Sequence, residues 1–440
     1  MLFPGIFATR EGIAMQNLDS LGAARRSGRA LLFRFRLTRR FMLTGWGFFG
    51  AAWILLGMSS EALAAGNRFS PLMLAAVHLL TVGFALHVIQ GAILLMTPIL
   101  FQGALFHVGL ARLELGFSLF GAAGLVFQFA HAGGRSVACF GALLALAYAI
   151  LLLNLVRSIR TARRKRDALY TLWPVLWLGV TLIDGLRLAW GIVPNEKALF
   201  AHHLTAGLLG TMTALIGLLS PRLLSVFVSS RSSPFARKPR PEPWLFAGVL
   251  ALVIGGDRPA PFVVGSVLFL TAYGLIAFRA LQALRNRRRR ELDWPIPWIV
   301  AGFLLGLPAT AGWLAADWAV RSGTKEAPLF LAALLFHLMA FVATTIAAYL
   351  ARILPFLRWS VRYDPAVRPE IWKTPDQVPK PRQMMPARPA MFGMAAFPAA
   401  AGLFALSVLT GQAFWAEMGA GIGVLGWSAY TAALALMERR

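Results

Sequence analysis

Between Phe41 and Leu436 the chain returns repeatedly to uncharged apolar runs of about twenty residues, the length one helix needs to cross the hydrocarbon of a bilayer. No water is available there, so each run must satisfy its own backbone as an α-helix. Twelve segments qualify or nearly so: residues 41–58, 71–100, 107–130, 137–156, 170–192, 199–221, 243–257, 260–280, 294–314, 328–355, 390–411 and 413–436. The seventh is the shortest. Over 440 residues, 58% are hydrophobic and only 14% charged, which agrees with an all-α membrane protein of about 12 transmembrane helices and not with a soluble one.

A net charge of +25 would point a soluble chain toward nucleic acid, but the placement of the charge gives another answer. If the first forty residues are cytoplasmic and the chain alternates sides, the clusters Arg25–Arg40, Arg157–Arg166, Arg222–Arg240, Arg285–Arg290 and Arg352–Arg388 all fall on the inner side. Of the 43 lysines and arginines, only Arg68, Arg135, Lys197, Arg258, Arg321 and Lys325 fall outside, with Arg187 within a span. This is the positive-inside bias. It predicts a multi-pass protein of the cytoplasmic (inner) membrane with both termini cytoplasmic, a lipid bilayer as its partner, and no nucleic acid.

Residues 1–40 read as a basic cytoplasmic tail near anionic headgroups, with no cleavable signal peptide, and residues 41–440 as one polytopic domain. Residues 359–389, rich in Pro, Arg and Lys, read as a cytoplasmic loop. The single cysteine, Cys139, rules out an internal disulfide and a thiolate metal cluster, and the absence of C-x-x-C-H rules out covalently attached haem.

Internal repetition is the more informative feature. His78 is followed by Thr81, Gly83, Gly91 and Pro98; His202 by Thr205, Gly207, Gly217 and Pro221; His337 by Ala340, Val342 and Pro355. The first two share H-x-L-T-x-G. These helices are four spans apart, so the chain reads as three pseudo-repeated four-helix arcs with one histidine-bearing helix each. Counted from their outer ends at about 1.5 Å per residue, the histidines are expected at similar depth in the outer leaflet.

Ionisable groups inside a membrane are costly and usually face the bundle interior. Neutral imidazole ligates iron, copper and zinc. The alternative is a histidine that merely bonds a neighbouring carbonyl. Gly207, Gly210, Ala214 and Gly217 make a small-residue stripe near the His203 face, which serves either a ligand or plain helix packing. His87, nine residues after His78, points to the opposite helix face and cannot share a metal with it. His107 and His131 read as solvated helix ends. Asp184 and Arg187, at i and i+3, read as a neutralised pair.

Twelve spans in three arcs, with histidines on the outer halves of the second, sixth and tenth, resemble subunit I of the heme-copper oxidases. The stretch HHLTAGLLGTMT, His202 to Thr213, is similar to the H-A-L-T-x-G-x-x-G-T-M-T signature of the NnrS family, haem- and copper-containing membrane proteins linked to the nitric oxide response. The resemblance implies a haem b ligated by His78 and His337. It further implies His202, with His203 beside it, near a second metal such as copper or near a diatomic gas, NO or O2. Arg187 suits a haem propionate. Residues 244–256 hold no histidine and the tenth span only His337, so a complete oxygen-reducing haem-copper centre is not expected.

The function expected is haem binding in nitrosative stress response or respiratory electron transfer, beside a respiratory partner subunit. Two alternatives stand next to it. A secondary transporter also has twelve spans, but predicts a repeat of six. A divergent terminal oxidase subunit I would need metal ligands beyond those present.

Overall fold

The computed structural model describes residues 18–103, 105–131, 133–192, 195–230, 240–288, 291–323, 327–363 and 378–439, with side chains undescribed at 18–34, 98–100 and 327. Among these residues the protein is all-helical, with one isolated backbone bridge, Ser230 to Arg287. Eleven helices are long and apolar enough to cross a membrane. They are α1 (Leu18–Met58, apolar over Phe35–Met58), α2 (Pro71–Thr97), α3 (Val108–Ala130), α4 (Ser136–Thr161), α5 (Lys165–Trp190), α6 (Glu196–Phe227), α8 (Pro259–Arg285), α9 (Pro295–Arg321), α10 (Pro328–Tyr363), α11 (Ala387–Thr410) and α12 (Ala413–Arg439). Between α6 and α8 lies α7 (Glu242–Gly255), apolar but only 14 residues long, or about 21 Å.

Two stretches expected outside the helices are partly helical. α1 begins at Leu18, well inside the stretch read as a tail, and α10 runs to Tyr363, into the expected loop. Residues 1–17 of the tail and 364–377 of the loop lie outside the described residues.

Contacts between distant segments fix which helix ends share a face of the bundle. At one end, Arg39 pairs with Glu438 at 2.8 Å, the Arg164 amide donates to the Phe101 carbonyl, Ser230 bridges Arg287, and Arg352 pairs with Asp293 at 3.1 Å. At the other, Arg68 lies over the rings of Phe200 and Phe330, and Arg321 donates to the Gly256 carbonyl at 3.0 Å. The first end carries the arginine clusters and is called the basic end below.

Burial separates the helices into two groups. The apolar windows of α2, α6 and α10 are 67%, 89% and 83% buried, against 50% or less for every other long span. The three histidine-bearing helices are therefore the interior ones, and lipid-facing side chains such as Ile54, Phe120, Ile183 and Leu425 belong to the others.

Small residues allow the closest crossings. A Cβ on Gly248 of α7 would lie 2.9 Å from the Gly265 carbonyl of α8, and one on Gly265 the same distance from the Gly248 carbonyl. The first helix closes against the last two through an aromatic core. The rings of Trp46 and Tyr430 are 4.3 Å apart, Phe397 sits against Phe49 and Trp53, and Trp427 donates to the Trp46 carbonyl at 2.9 Å.

The three interior helices share a departure that sequence patterning does not reveal. Each widens into a π-helical segment, at Leu79–Leu86 in α2, Ala206–Thr213 in α6 and His337–Ala343 in α10. A wider turn displaces a carbonyl from its usual partner, and in each helix a side chain five residues on takes it up. His87 Nδ1 bonds the Val82 carbonyl, the Thr211 hydroxyl donates to Ala206, and the Thr344 hydroxyl donates to Met339, each at 3.1 Å.

Candidate functional site

The π-helical segments begin beside the histidines, so local backbone geometry and candidate ligands coincide. His78 is the last residue before the segment in α2. Its Nδ1 lies 2.7 Å from the Leu74 carbonyl, and its ring packs on Phe129 of α3 with centroids 4.5 Å apart. His203 of α6 places Nδ1 2.9 Å from the Thr181 carbonyl of α5. Gly185 makes room for that ring, since a Cβ there would stand 3.2 Å from His203 Cε1.

A carbonyl oxygen only accepts, so in both rings Nδ1 carries the proton and Nε2 the lone pair. Nε2 of His78 and of His203 has no hydrogen-bond partner among the described residues, and neither atom is sealed in protein. A ring fixed by an N–H to a carbonyl, with its other nitrogen free, is the usual condition of a metal-ligating histidine.

His202 turns to a different partner. Its Nδ1 sits 2.5 Å from Oδ2 of Asp184, a buried carboxylate on α5. Arg187 reaches the same carboxylate only at 3.9 Å and keeps 45% of its side chain exposed. Asp184 is thus primarily the partner of His202 and secondarily that of Arg187, whereas spacing along one helix suggested only the second.

His337 stands apart from these rings. It is fully buried, its Nε2 lies 3.0 Å from the Thr213 hydroxyl, and its ring meets the edge of Phe341 at 5.2 Å. Thr213 comes ten residues after His203, about 15 Å further along α6. At the starts of the three helices Arg68 lies over the rings of Phe69, Phe200 and Phe330, so the helices begin at a common level. The π-helical segments of α2 and α10 pack directly on one another. The structure brings His337 together with Thr213, while His78 turns to Leu74 and Phe129 and His203 turns to Thr181.

The glycine stripe on α6 serves helix packing. Gly207 faces Thr181, Gly210 lies under the Trp177 ring, and Gly217 faces Tyr273. His87 is enclosed between Phe41 and Phe48, with Nε2 buried and unpartnered. His107 caps α3, accepting from the Leu110 amide at 3.1 Å, and exposed His131 bonds the Phe127 carbonyl, both as expected of helix ends.

Among the described residues no three of His, Cys, Asp and Glu converge on a common metal position. A bare copper or zinc ion needs three or four protein ligands. A haem iron takes four nitrogens from its porphyrin and asks the protein for one or two, a demand that two imidazoles with free Nε2 atoms meet. No known protein family's sequence profile matches the chain, and no curated protein matches it.

Proposed function

We propose that this chain is a membrane haem protein, built on a plan like that of the heme-copper oxidase subunit I and nearest in its sixth-helix motif to NnrS. The observation that carries the reading is the pair of neutral imidazoles, His78 and His203, each tied through Nδ1–H to a backbone carbonyl and each with Nε2 unpaired. In this reading His78 and His203 would hold a haem b. His337, which the resemblance pairs with His78, is occupied by Thr213. The half-exposed Arg187 would meet a propionate, and His202, held by Asp184, keeps one free nitrogen, one of the three or four ligands that a copper ion would need.

The interior position of α2, α6 and α10, and the π-helical segment in each, support three four-helix arcs as the underlying plan. The arginine-rich end supports an orientation with both termini in the cytoplasm.

Bound haem would supply one-electron redox chemistry and a place for a diatomic gas, NO or O2. If both imidazoles ligate, electron transfer with a respiratory partner is the favoured role; if one withdraws, gas binding is. The protein's own contribution is to fix both ring tautomers and to cover the His78 ring with Phe129.

The test is a reduced-minus-oxidised spectrum of the purified protein with haem extraction. A b-type band is expected in the wild type, lost or shifted in His78→Leu and His203→Leu, and retained in His337→Leu. A protein that carries no haem after expression with adequate haem supply sinks the proposal, and a band untouched by either of the first two substitutions sinks the ligand assignment.

A further inference from the structure

A second polar feature lies away from the histidine pair, between α1, α2, α3 and α4. Glu114 of α3 is completely buried, and neither of its carboxyl oxygens has a hydrogen-bond partner among the described residues. One turn on, the Ser118 hydroxyl donates to Oε1 of Gln90 at 3.0 Å, and both residues are buried. Three residues before Gln90 stands His87, whose buried Nε2 is also unpartnered.

Toward the basic end the polar groups continue. The His107 amide donates to Oδ1 of Asn154 on α4 at 3.0 Å, and Nδ2 of Asn154 is buried without a partner. Gly121 of α3 lies against Leu144 of α4, and the Phe106 amide donates to the Ser158 hydroxyl. Counting turns between those two contacts puts Asn154 level with Ala111, one turn nearer the basic end than Glu114. His107, Asn154, Glu114, the Ser118–Gln90 pair and His87 therefore form a file of polar groups about one turn, or 5 Å, apart, reaching from the exposed His107 into the bundle.

Among the described residues the other faces around Glu114 offer no counter-charge. From α1 comes Thr38, buried with an unpartnered hydroxyl, and Phe41; from α2, the buried polar groups His87, Gln90 and Thr97; from α4, Leu151 and Asn154. Arg36 and Arg40 of α1 are exposed, Arg39 is paired with Glu438, and Arg112 lies on the exposed side of α3. A carboxylate held this way in a membrane lacks both donors and a cation, and an apolar residue would pack there at less cost. Packing does not account for it. Binding of a proton does.

We infer that Glu114 is an intramembrane proton-binding group, loaded from the basic end of the bundle by way of His107 and Asn154 and backed by the Gln90–Ser118 pair. The proton adds to a carboxyl oxygen and returns by the same file, with no other bond made or broken. This inference stands on residues separate from the histidine pair and does not depend on haem.

The experiment is infrared difference spectroscopy between acidic and alkaline pH on the full-length protein in lipid nanodiscs. A carbonyl stretch of an un-ionised carboxyl that responds to pH is expected in the wild type. It should vanish in Glu114→Gln, move in Ser118→Ala, and exchange deuterium several-fold more slowly in Asn154→Leu. Identical spectra from the wild type and Glu114→Gln overturn the inference, as does a band that answers to sodium concentration and not to pH. Ser118→Ala leaves the carboxyl in place, so a band unmoved by that change overturns the assignment even where the glutamine variant fails to fold.

Discussion

The Thr213 hydroxyl and Nε2 of His337 meet at 3.0 Å in a place closed to solvent, and this contact ties α6 to α10. Nδ1 of His337 makes no well-formed hydrogen bond, only a weaker approach to the Ala309 carbonyl, so the ring relies chiefly on Thr213. Thr213→Val keeps the shape and removes the oxygen, leaving a buried imidazole with no well-formed hydrogen bond. The expected loss is about 1–3 kcal/mol, read as a lower midpoint in thermal unfolding of the detergent-solubilised protein. An unchanged midpoint would mean that water, not Thr213, satisfies His337.

The π-helical segments predict an effect of backbone register. Such a segment amounts to one extra residue in an α-helix, so deleting one residue within Leu79–Leu86 lets α2 relax to regular α-helix. One side of the deletion then turns relative to the other by a part of the ~100° that one α-helical residue spans, because the wide turn had absorbed the rest. With α2 anchored by His87 and Gln90, His78 swings away from Phe129. The deletion should therefore abolish haem retention, while a Leu79→Ala substitution leaves it in place. Equal haem content in the two variants would show that the wide turns do not aim the ring.

At the end opposite the basic one, Arg321 and Asp317 form a buried pair at 2.9 Å, with 6% and 4% of their side chains exposed. Arg321 also donates to the Gly256 carbonyl and the Thr205 hydroxyl. Asp317→Leu strands the guanidinium and should cost about 3 kcal/mol, the low end for a broken buried pair because those two acceptors remain. Removing both charges, in Asp317→Leu with Arg321→Met, should bring stability back close to the wild type. A double variant as unstable as the single one would assign the pair a role that its charges do not explain.

The distribution of apolar runs made the helices legible, because a membrane forces every spanning segment into one form. Even the weakness of the seventh segment is reproduced, as a helix of only 14 residues. The interior role of the second, sixth and tenth helices was legible through their histidines, since groups so costly in lipid have to face protein. The partners of those histidines were not. That His202 takes Asp184 while His203 takes the Thr181 carbonyl depends on how α5 and α6 cross, and no spacing within either helix encodes a crossing. The wide turns escaped for a related reason: one extra residue shifts a hydrophobic stripe too little to be seen in helices that are apolar on nearly all sides. Glu114 was equally hidden, because an acid six residues into a helix reads as solvated until its neighbours are known to seal it.

The contact between His202 and Asp184 yields an asymmetry that separates a charge pair from mere proximity. The Asp184 side chain is 4% exposed, whereas those of His202 and Arg187 are 31% and 45% exposed. Taking the acid away in Asp184→Leu leaves two basic groups that can still reach water, so the cost should stay below about 1 kcal/mol. Taking the imidazole away in His202→Leu leaves the carboxylate buried, with only Arg187 at 3.9 Å to compensate, and should cost about 1–3 kcal/mol. Because His203 is held by Thr181 and not by Asp184, neither change should empty a haem site at His78 and His203. Thermal midpoints of the two variants in the same detergent decide the order. If Asp184→Leu proves the more damaging, the carboxylate is holding something besides His202 and Arg187, and a metal at His202 becomes the first candidate to assay by elemental analysis.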